Sequence, residues 1–365
     1  MKKIKKKIIF SAGGTAGPVS PLLSVAETLK LDSNYDFEFL FVGVKGGVEK
    51  HMIERDGLKY QAISGGKLRR YFSFNNFIDP FLIVAGFFQS IAIILKFKPD
   101  LVMSAGSFAS VPMIWAAWLF RVPVFVHQQD YRPGLANKLM SPLATTITVS
   151  FEKSLDDYGK KAIWTGNPFR QDYKKMKISR REAISKFGLR TEKPIVVVMG
   201  GGTGAQAIND LVLEAMPKLK KYCQVIHITG TGKNDKKNDD LMENLAEYKY
   251  FEFLDIFGVI KVYSVADLIV SRCGMNSLTE ISQLGLNAIL IPMPDSHQEE
   301  NAKIFSEANA ATVLHQKNLD AQKFTEIVKN KLFDGELIEV HTRNIQNILK
   351  DDANEVIAEL IKERI

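Results

Sequence analysis

Short runs of branched and aromatic residues recur along this chain. Each leads into a longer stretch whose apolar positions fall three and four apart, and this alternation predicts parallel strands covered by helices on both faces. In the first half the strand-like runs are Ile8–Ser11, Phe37–Val42, Leu101–Ser104, Val124–His127 and Thr146–Val149, with Pro21–Leu29 and Val111–Phe120 among the intervening helices. In the second they are Ile195–Met199, Gln224–Thr229, Tyr250–Leu254, Leu268–Ser271 and Ala288–Ile291. Both halves open with a buried-type strand that runs into glycines and then a helix: KIIFSAGGTAGPVSPLLSVAETL and PIVVVMGGGTGAQAINDLVLEAM.

Between the halves, Thr165-Gly166-Asn167-Pro168-Phe169-Arg170 carries turn chemistry, and Pro168 disfavours helix at Asn167, so a hinge is expected there. After Leu314 the chain turns polar, with Ile345, Ile348, Leu349, Val356, Ile357, Leu360 and Ile361 at roughly helical spacing, which predicts terminal helices. A length of 365 residues exceeds one comfortable core and suits two. The expected organisation is α/β, with two Rossmann-like doubly wound domains over 1–165 and 166–345 and a helical tail over 346–365.

Composition narrows the function classes. With 46% hydrophobic and 24% charged residues the chain is of the globular kind. Cys223 and Cys273 stand far apart without metal-ligand spacing, which argues against a disulfide framework or a zinc site and fits a reducing, cytoplasmic setting. The basic N-terminus resembles the start of a signal peptide, but only Ile8 to Phe10 are apolar before the glycine turn, so the segment reads as a first strand. Residues 1–100 hold 15 Lys and Arg against 9 Asp and Glu, nearly the whole net charge of +7. That half is expected to meet something anionic. No helix-turn-helix, zinc-finger or RNA-recognition signature accompanies the charge, so a membrane surface or a phosphorylated ligand is favoured over nucleic acid.

A glycine turn between strand and helix lets main-chain N–H groups approach a phosphate, and the helix dipole adds positive charge there. Gly13-Gly14-Thr15-Ala16-Gly17 and Gly200-Gly201-Gly202-Thr203-Gly204 both qualify, although each equally describes a tight connection. Neither has the Lys-Ser/Thr of a P-loop, and the first lacks the spacing and acidic residue of a dinucleotide fingerprint. The run Leu268-Ile269-Val270-Ser271-Arg272-Cys273-Gly274-Met275-Asn276-Ser277-Leu278-Thr279-Glu280 says more. A buried strand feeds a turn and a helix whose first amides suit a diphosphate, and Glu280 can accept both hydroxyls of a ribose. Arg272 is read equally as a diphosphate partner or a structural ion pair.

Six motifs stand in one order: the first glycine loop, His127-Gln128-Gln129, Thr165 to Arg170, the second glycine loop, Ser271 to Glu280, and Gln298-Glu299-Glu300-Asn301-Ala302. In this order, from about residue 8 to 314, the chain resembles the MurG family of glycosyltransferases, which belongs to family 28 and has the GT-B fold. The resemblance implies two domains facing across a cleft, the C-terminal one binding UDP-N-acetylglucosamine and the N-terminal one a membrane-borne lipid-diphosphate-linked acceptor. It implies an inverting transfer of N-acetylglucosamine to undecaprenyl-diphosphate-linked N-acetylmuramoyl pentapeptide, without cofactor or metal, by a peripheral enzyme at the cytoplasmic face of the membrane.

Carried over by position, Leu254 lies by the uracil, Met275, Asn276, Ser277, Leu278 and Thr279 line the diphosphate and nucleotide, and Glu280 holds the ribose. Gln298 bonds sugar hydroxyls, Arg170 reaches the nucleotide sugar, and Gly202 replaces a family serine. Thr15, Ala16 and Gly17 belong to the acceptor side. There the chain departs further. The family's G-G-T-G-G-H ends here in Pro18, its H-E-Q-N reads His127-Gln128-Gln129-Asp130, and its G-G-Y-x-S reads Gly106-Ser107-Phe108-Ala109-Ser110.

An inverting transfer needs a base, and Asp130 is the one acidic residue in these three loops. It is expected to serve, the alternative being a cap for the turn that follows. His127 is read as a packed residue. Another lipid acceptor, or a silent nucleotide-sugar-binding subunit, stays open as an alternative function.

Phe72, Phe74, Phe77, Ile78, Phe81, Leu82, Ile83, Val84, Phe87 and Phe88 follow Lys67, Arg69 and Arg70 closely, an interfacial composition suited to anionic lipid. Asp79, Pro80 and Gln89-Ser90 interrupt the run and argue against a spanning helix, while Ile91 to Phe97 reads as core.

Overall fold

The computed structural model describes residues 3–14, 17–47, 49–66, 75–176, 178–233 and 236–365. The chain divides into two compact units, one comprising Met1–Arg170 and Lys350–Ile365 and the other Gln171–Leu349.

The first unit is built on seven parallel strands: β1 (Ile4–Ser11), β2 (Tyr35–Val44), β3 (Lys59–Ile63), β4 (Leu101–Ser104), β5 (Val124–Gln128), β6 (Thr146–Val149) and β7 (Ala162–Trp164). Their order across the sheet is β3-β2-β1-β4-β5-β6-β7, so the chain turns back between β1 and β4. The second unit holds six parallel strands: β8 (Ile195–Met199), β9 (Gln224–Ile228), β10 (Tyr248–Phe251), β11 (Leu268–Ser271), β12 (Ala288–Leu290) and β13 (Thr312–Val313). The order is β10-β9-β8-β11-β12-β13, with the same reversal between β8 and β11. Such a reversal opens a crevice at the carboxyl ends of the two strands that flank it.

Each sheet is covered on both faces, as period-two alternation shows. In β1, Ile8 and Phe10 pack with the helix Val19–Lys30, while Ile9 packs with residues of the helices Asn75–Phe97 and Val111–Leu119. In the second unit Val196 and Val198 pack beneath the helices Gln206–Leu219 and Ala321–Phe333.

The sequence does not predict β3, β7 or β13, and the reason is common to them. All three lie at sheet edges. An edge strand needs less apolar surface, so Lys59-Tyr60-Gln61-Ala62-Ile63 buries only its last residue and reads as polar. The helical tail expected from 346 packs, from Lys350 on, with the first unit. The helix Ala353–Lys362 lies on Val19–Lys30, with Ile357, Ala358 and Ile361 in the first unit's core.

Asn354 fastens that return. Its Oδ1 accepts from the Phe169 N–H at 2.9 Å and its Nδ2 donates to the Phe169 carbonyl at 2.8 Å. Lys362 reaches Asp32 at 3.0 Å from the other end of the helix. Asn354→Ala removes two buried bonds and should lower the unfolding free energy by about 2–3 kcal/mol. Urea denaturation tests this, and an unmoved midpoint would remove Asn354 from the clamp.

Candidate functional site

In the first unit three motifs fall at the carboxyl ends of the adjacent strands β1, β4 and β5, and side chains sew them together. Ser107 Oγ donates to the Gly13 carbonyl at 2.6 Å and accepts from the Ala109 N–H. Ser110 Oγ donates to the Ser11 carbonyl at 2.7 Å. Gln129 Nε2 donates to the Ala105 carbonyl at 2.8 Å. The glycine loop, the Gly106–Ser110 turn and the loop after β5 are therefore one assembly. Thr15 and Ala16 lie outside the described residues, while Gly17 is part of the turn that enters the helix Val19–Lys30.

Sequence reasoning missed Glu49, which underpins this assembly. It opens the helix Glu49–Arg55 and is fully buried. One carboxyl oxygen accepts from the Val44 N–H at 3.0 Å and the other from the Gly14 N–H at 3.2 Å. Gly14, at φ +85°, is held by that bond in a conformation that favours glycine. The Gly14 amide thus serves an internal carboxyl group, and an incoming phosphate must find its donors elsewhere in the loop. The only sequence signal was a glutamate just past Gly46-Gly47 at a helix start, a common N-terminal residue.

Asp130 is half-buried at the mouth of β5, and its carbonyl accepts from Gln128 Nε2 at 3.0 Å. The Gln128 Oε1 in turn accepts from Asn137 at 2.7 Å and from the Tyr158 hydroxyl at 2.8 Å. His127 is fully buried between Thr148 and Asn167, at 2.9 Å from each. Burial holds its imidazole down at about 4, against the opposing Asn167 bond. It is neutral and packed, as expected.

Arg170 is engaged within the first unit. Its guanidinium pairs with Glu27 at 2.8 Å and Asp56 at 2.7 Å, both within the first unit. Two carboxylates bracket a nearly buried cation, so this side chain ties Val19–Lys30 to the end of Glu49–Arg55.

In the second unit the corresponding motifs end β8, β11 and β12, again neighbours in the sheet. The glycine loop after β8 needs Gly204 itself: φ is +69°, and a Cβ there would lie 2.2 Å from the Thr229 carbonyl oxygen. Gly202 is exposed and a Cβ would meet nothing within 4 Å, so a serine there would fit.

The turn after β11 is clamped from the next helix, His297–Glu307. Gln298 Oε1 accepts from the Cys273 N–H at 3.2 Å and the Met293 N–H at 3.1 Å, and Asn301 Nδ2 donates to the Cys273 carbonyl at 3.2 Å. The two residues of Gln-x-x-Asn are three apart and hold one residue from one helix face. Gln298 therefore keeps only its Nε2 hydrogens for a ligand. Arg272 points backwards, donating to the Ile291 and Pro292 carbonyls at 3.1 and 2.9 Å and to Gln316 at 2.6 Å. It is a structural bracket.

The helix Met275–Leu284 follows Gly274, which supplies no side-chain cap. Leu278 is fully buried in the core, and the Thr279 hydroxyl donates to the Met275 carbonyl at 2.7 Å. Both side chains are thus engaged within the unit. The main-chain amides of Met275, Asn276 and Ser277 are the donors there. Leu254 sits half-buried in the loop between β10 and the helix Ile256–Val265.

Glu280 lies one turn into the same helix, half-buried. Tyr263 Oη donates to its Oε2 at 2.6 Å. Burial pushes the carboxyl up to about 7, against opposing hydrogen bonds from Tyr263 and Tyr173. Neither tyrosine stood out in the sequence, because each reads as an ordinary apolar helix position.

The first unit also carries an uncovered apolar face. On the helix Asn75–Phe97, Ile93 and Ile94 enter the core and Phe87 packs on it, so Phe87 does not belong with the outward rings. Phe81, Val84, Phe88 and Leu95 lie exposed at helical spacing, and Trp118, Leu119 and Phe120 are exposed at the end of the neighbouring helix. By length and composition alone the segment Asp79–Phe97 is also long and apolar enough to cross a membrane. Lys67, Arg69, Arg70, Phe72 and Phe74 lie outside the described residues, as do the side chains of Phe77 and Ile78. Among the described residues no three His, Cys, Asp or Glu side chains are grouped to hold a metal ion.

Comparison with known proteins matches residues 8–149 to the glycosyltransferase family 28 N-terminal domain and residues 195–356 to the family 28 C-terminal domain. A Bacillus cereus protein named UDP-N-acetylglucosamine--N-acetylmuramyl-(pentapeptide) pyrophosphoryl-undecaprenol N-acetylglucosamine transferase 2 is 37% identical over 330 residues, 89% of this chain and 91% of that one. A Clostridium botulinum transferase of the same activity name is 36% identical over 363 residues, 98% of this chain and 99% of the relative. Among solved structures, Acinetobacter baumannii MurG is similar with a TM-score of 0.75 at 22% identity, over 98% of this chain and 99% of that one. A Neisseria meningitidis UDP-GlcNAc 2-epimerase bound to UDP-GlcNAc is similar with a TM-score of 0.72 at 15% identity, over 99% and 100%. The structural likenesses speak for the fold, the sequence likenesses for the family: this chain belongs to glycosyltransferase family 28.

Proposed function

We propose that the chain is an inverting transferase moving N-acetylglucosamine from UDP-N-acetylglucosamine to an undecaprenyl-diphosphate-linked N-acetylmuramoyl pentapeptide. The observation that carries this reading is in the second unit: an uncapped helix mouth after β11, clamped by Gln298 and Asn301, with Glu280 one turn along. The activity named for relatives at 36–37% identity over most of the chain supports it.

On this reading the Met275, Asn276 and Ser277 amides take the diphosphate, Glu280 the ribose diol, the Leu254 main chain the uracil, and Gln298 Nε2 a sugar hydroxyl. The Gly202 amide faces the donor. Thr15, Ala16 and Gly17 meet the acceptor, whose hydroxyl oxygen bonds to the anomeric carbon as the bond from that carbon to the β-phosphate oxygen breaks. UDP leaves, and the hydroxyl proton passes to the Asp130 carboxylate. Developing charge on the diphosphate is stabilised by the helix mouth.

We place the enzyme peripherally on the cytoplasmic face of the membrane, held by Phe81, Val84, Phe88, Leu95 and Trp118 against anionic lipid. Lys96, Lys98 and Arg121 are exposed close by in sequence and suit lipid headgroups.

UDP release with the muramoyl lipid, with a different lipid diphosphate and with no lipid distinguishes this function from its alternatives. Only the first should support turnover. Glu280→Ala should weaken donor binding by about 1–3 kcal/mol in calorimetry, and unchanged affinity would remove it from the site. Asp130→Asn should cut turnover by about 10²- to 10⁴-fold while leaving donor affinity intact. Wild-type turnover in that variant would make the carboxylate a turn cap. Replacing Phe81, Phe88 and Trp118 together by Ser should reduce cosedimentation with anionic vesicles without changing the melting temperature, and undiminished cosedimentation would sink the lipid-facing assignment.

A further inference from the structure

Glu280 is an awkward residue for its task. A carboxylate suits a diol because its two oxygens accept from both hydroxyls, but only while it is ionised and correctly turned. Here it is drawn into a half-buried site, and among the described residues the ionisable groups that shift it are two phenols, Tyr263 and Tyr173. The Tyr263 hydroxyl reaches Oε2 at 2.6 Å from the helix Ile256–Val265, which precedes β11, while Glu280 stands on the helix that follows it. The same hydroxyl lies 3.2 Å from Met199 Sδ at the end of β8, and Tyr263 itself is 4% exposed, so its position is set by the core. Tyr173, from the short helix Asp172–Lys175, supports the arrangement with its ring 6.1 Å from that of Tyr263.

We propose that Tyr263, backed by Tyr173, is a positioning residue of the donor site, its hydroxyl holding the Glu280 carboxyl group turned and ready to accept the ribose diol. This rests on the second unit being the donor domain.

The sign of the resulting pH dependence follows from the chemistry. Burial raises the Glu280 carboxyl to about 7, so the free protein takes up its proton below neutrality. The ribose hydroxyls donate to the ionised form, and donor binding must therefore strengthen as pH rises through that range. The phenol hydrogen bonds favour the ionised form, so deleting one moves the midpoint upward.

Calorimetric titration with UDP-N-acetylglucosamine, whose diphosphate diester has no proton to lose between about pH 5.5 and 8.5, reads this directly. The wild type should gain affinity through neutrality. Tyr263→Phe should shift that midpoint upward and weaken binding roughly tenfold at neutral pH, with part of the loss recovered at the alkaline end. Tyr173→Phe should shift it in the same direction by less, and it keeps the test open if Tyr263→Phe folds poorly. Glu280→Gln should bind weakly with no midpoint. Affinity lost equally at every pH in both tyrosine variants, or not lost at all, overturns the positioning role. Failure of the wild type to bind the donor at any pH overturns the donor-domain reading itself, and this proposal with it.

Discussion

Parallel strands that end together leave main-chain N–H and C=O groups just past the last ladder bond, and the turns that follow must bond them some other way if they are to stay buried and rigid. In this protein side chains from neighbouring loops and helices provide several of those bonds. Glu49 serves the Val44 and Gly14 amides, Ser107 and Ser110 serve the Gly13 and Ser11 carbonyls, and Gln129 serves Ala105. The second unit uses different residues for the same purpose. Gln298 and Asn301 take both main-chain groups of Cys273, Arg272 takes the Ile291 and Pro292 carbonyls, and Asn209 takes Thr229.

This requirement separates residues that hold the site from those left to meet a ligand. Arg170 and Arg272 look like anion binders in a linear sequence, yet each is engaged by acceptors of its own unit. The Gln298 oxygen serves the loop, accepting from the Cys273 and Met293 amides. The donors left over are main-chain amides at the mouth of Met275–Leu284, a fixed array that needs no reorganisation as charge develops. Glu280 stands one turn along, where burial disfavours its ionised form and the tyrosine bonds offset part of that cost.

The first unit meets a different constraint on the face carrying Asn75–Phe97. Half of that helix satisfies the sheet through Ile93 and Ile94, while Phe81, Val84, Phe88 and Leu95 are left in water. Full burial of such side chains contributes roughly 1.5–3 kcal/mol each, enough together to hold a protein reversibly at an interface.

By itself the sequence determined the two parallel-sheet units, eight of whose strands it places within about two residues, because a strand buried on both faces must be a continuous apolar run. It also determined the order of the glycine turns and the helix mouth after β11, since only small residues permit those connections. The edge strands β3, β7 and β13 escaped it because an edge needs little apolar surface. The return of Ala353–Lys362 to the first unit escaped it too: an amphipathic helix states that it must be covered but not by what. What Arg272 and Arg170 bond to, and that Tyr263 reaches Glu280 and Glu49 reaches Gly14, only the tertiary structure decided. A polar side chain's role is set by which unpaired group lies within about 3 Å of it, and that distance joins residues as far apart as Gly14 and Glu49, or Tyr263 and Glu280.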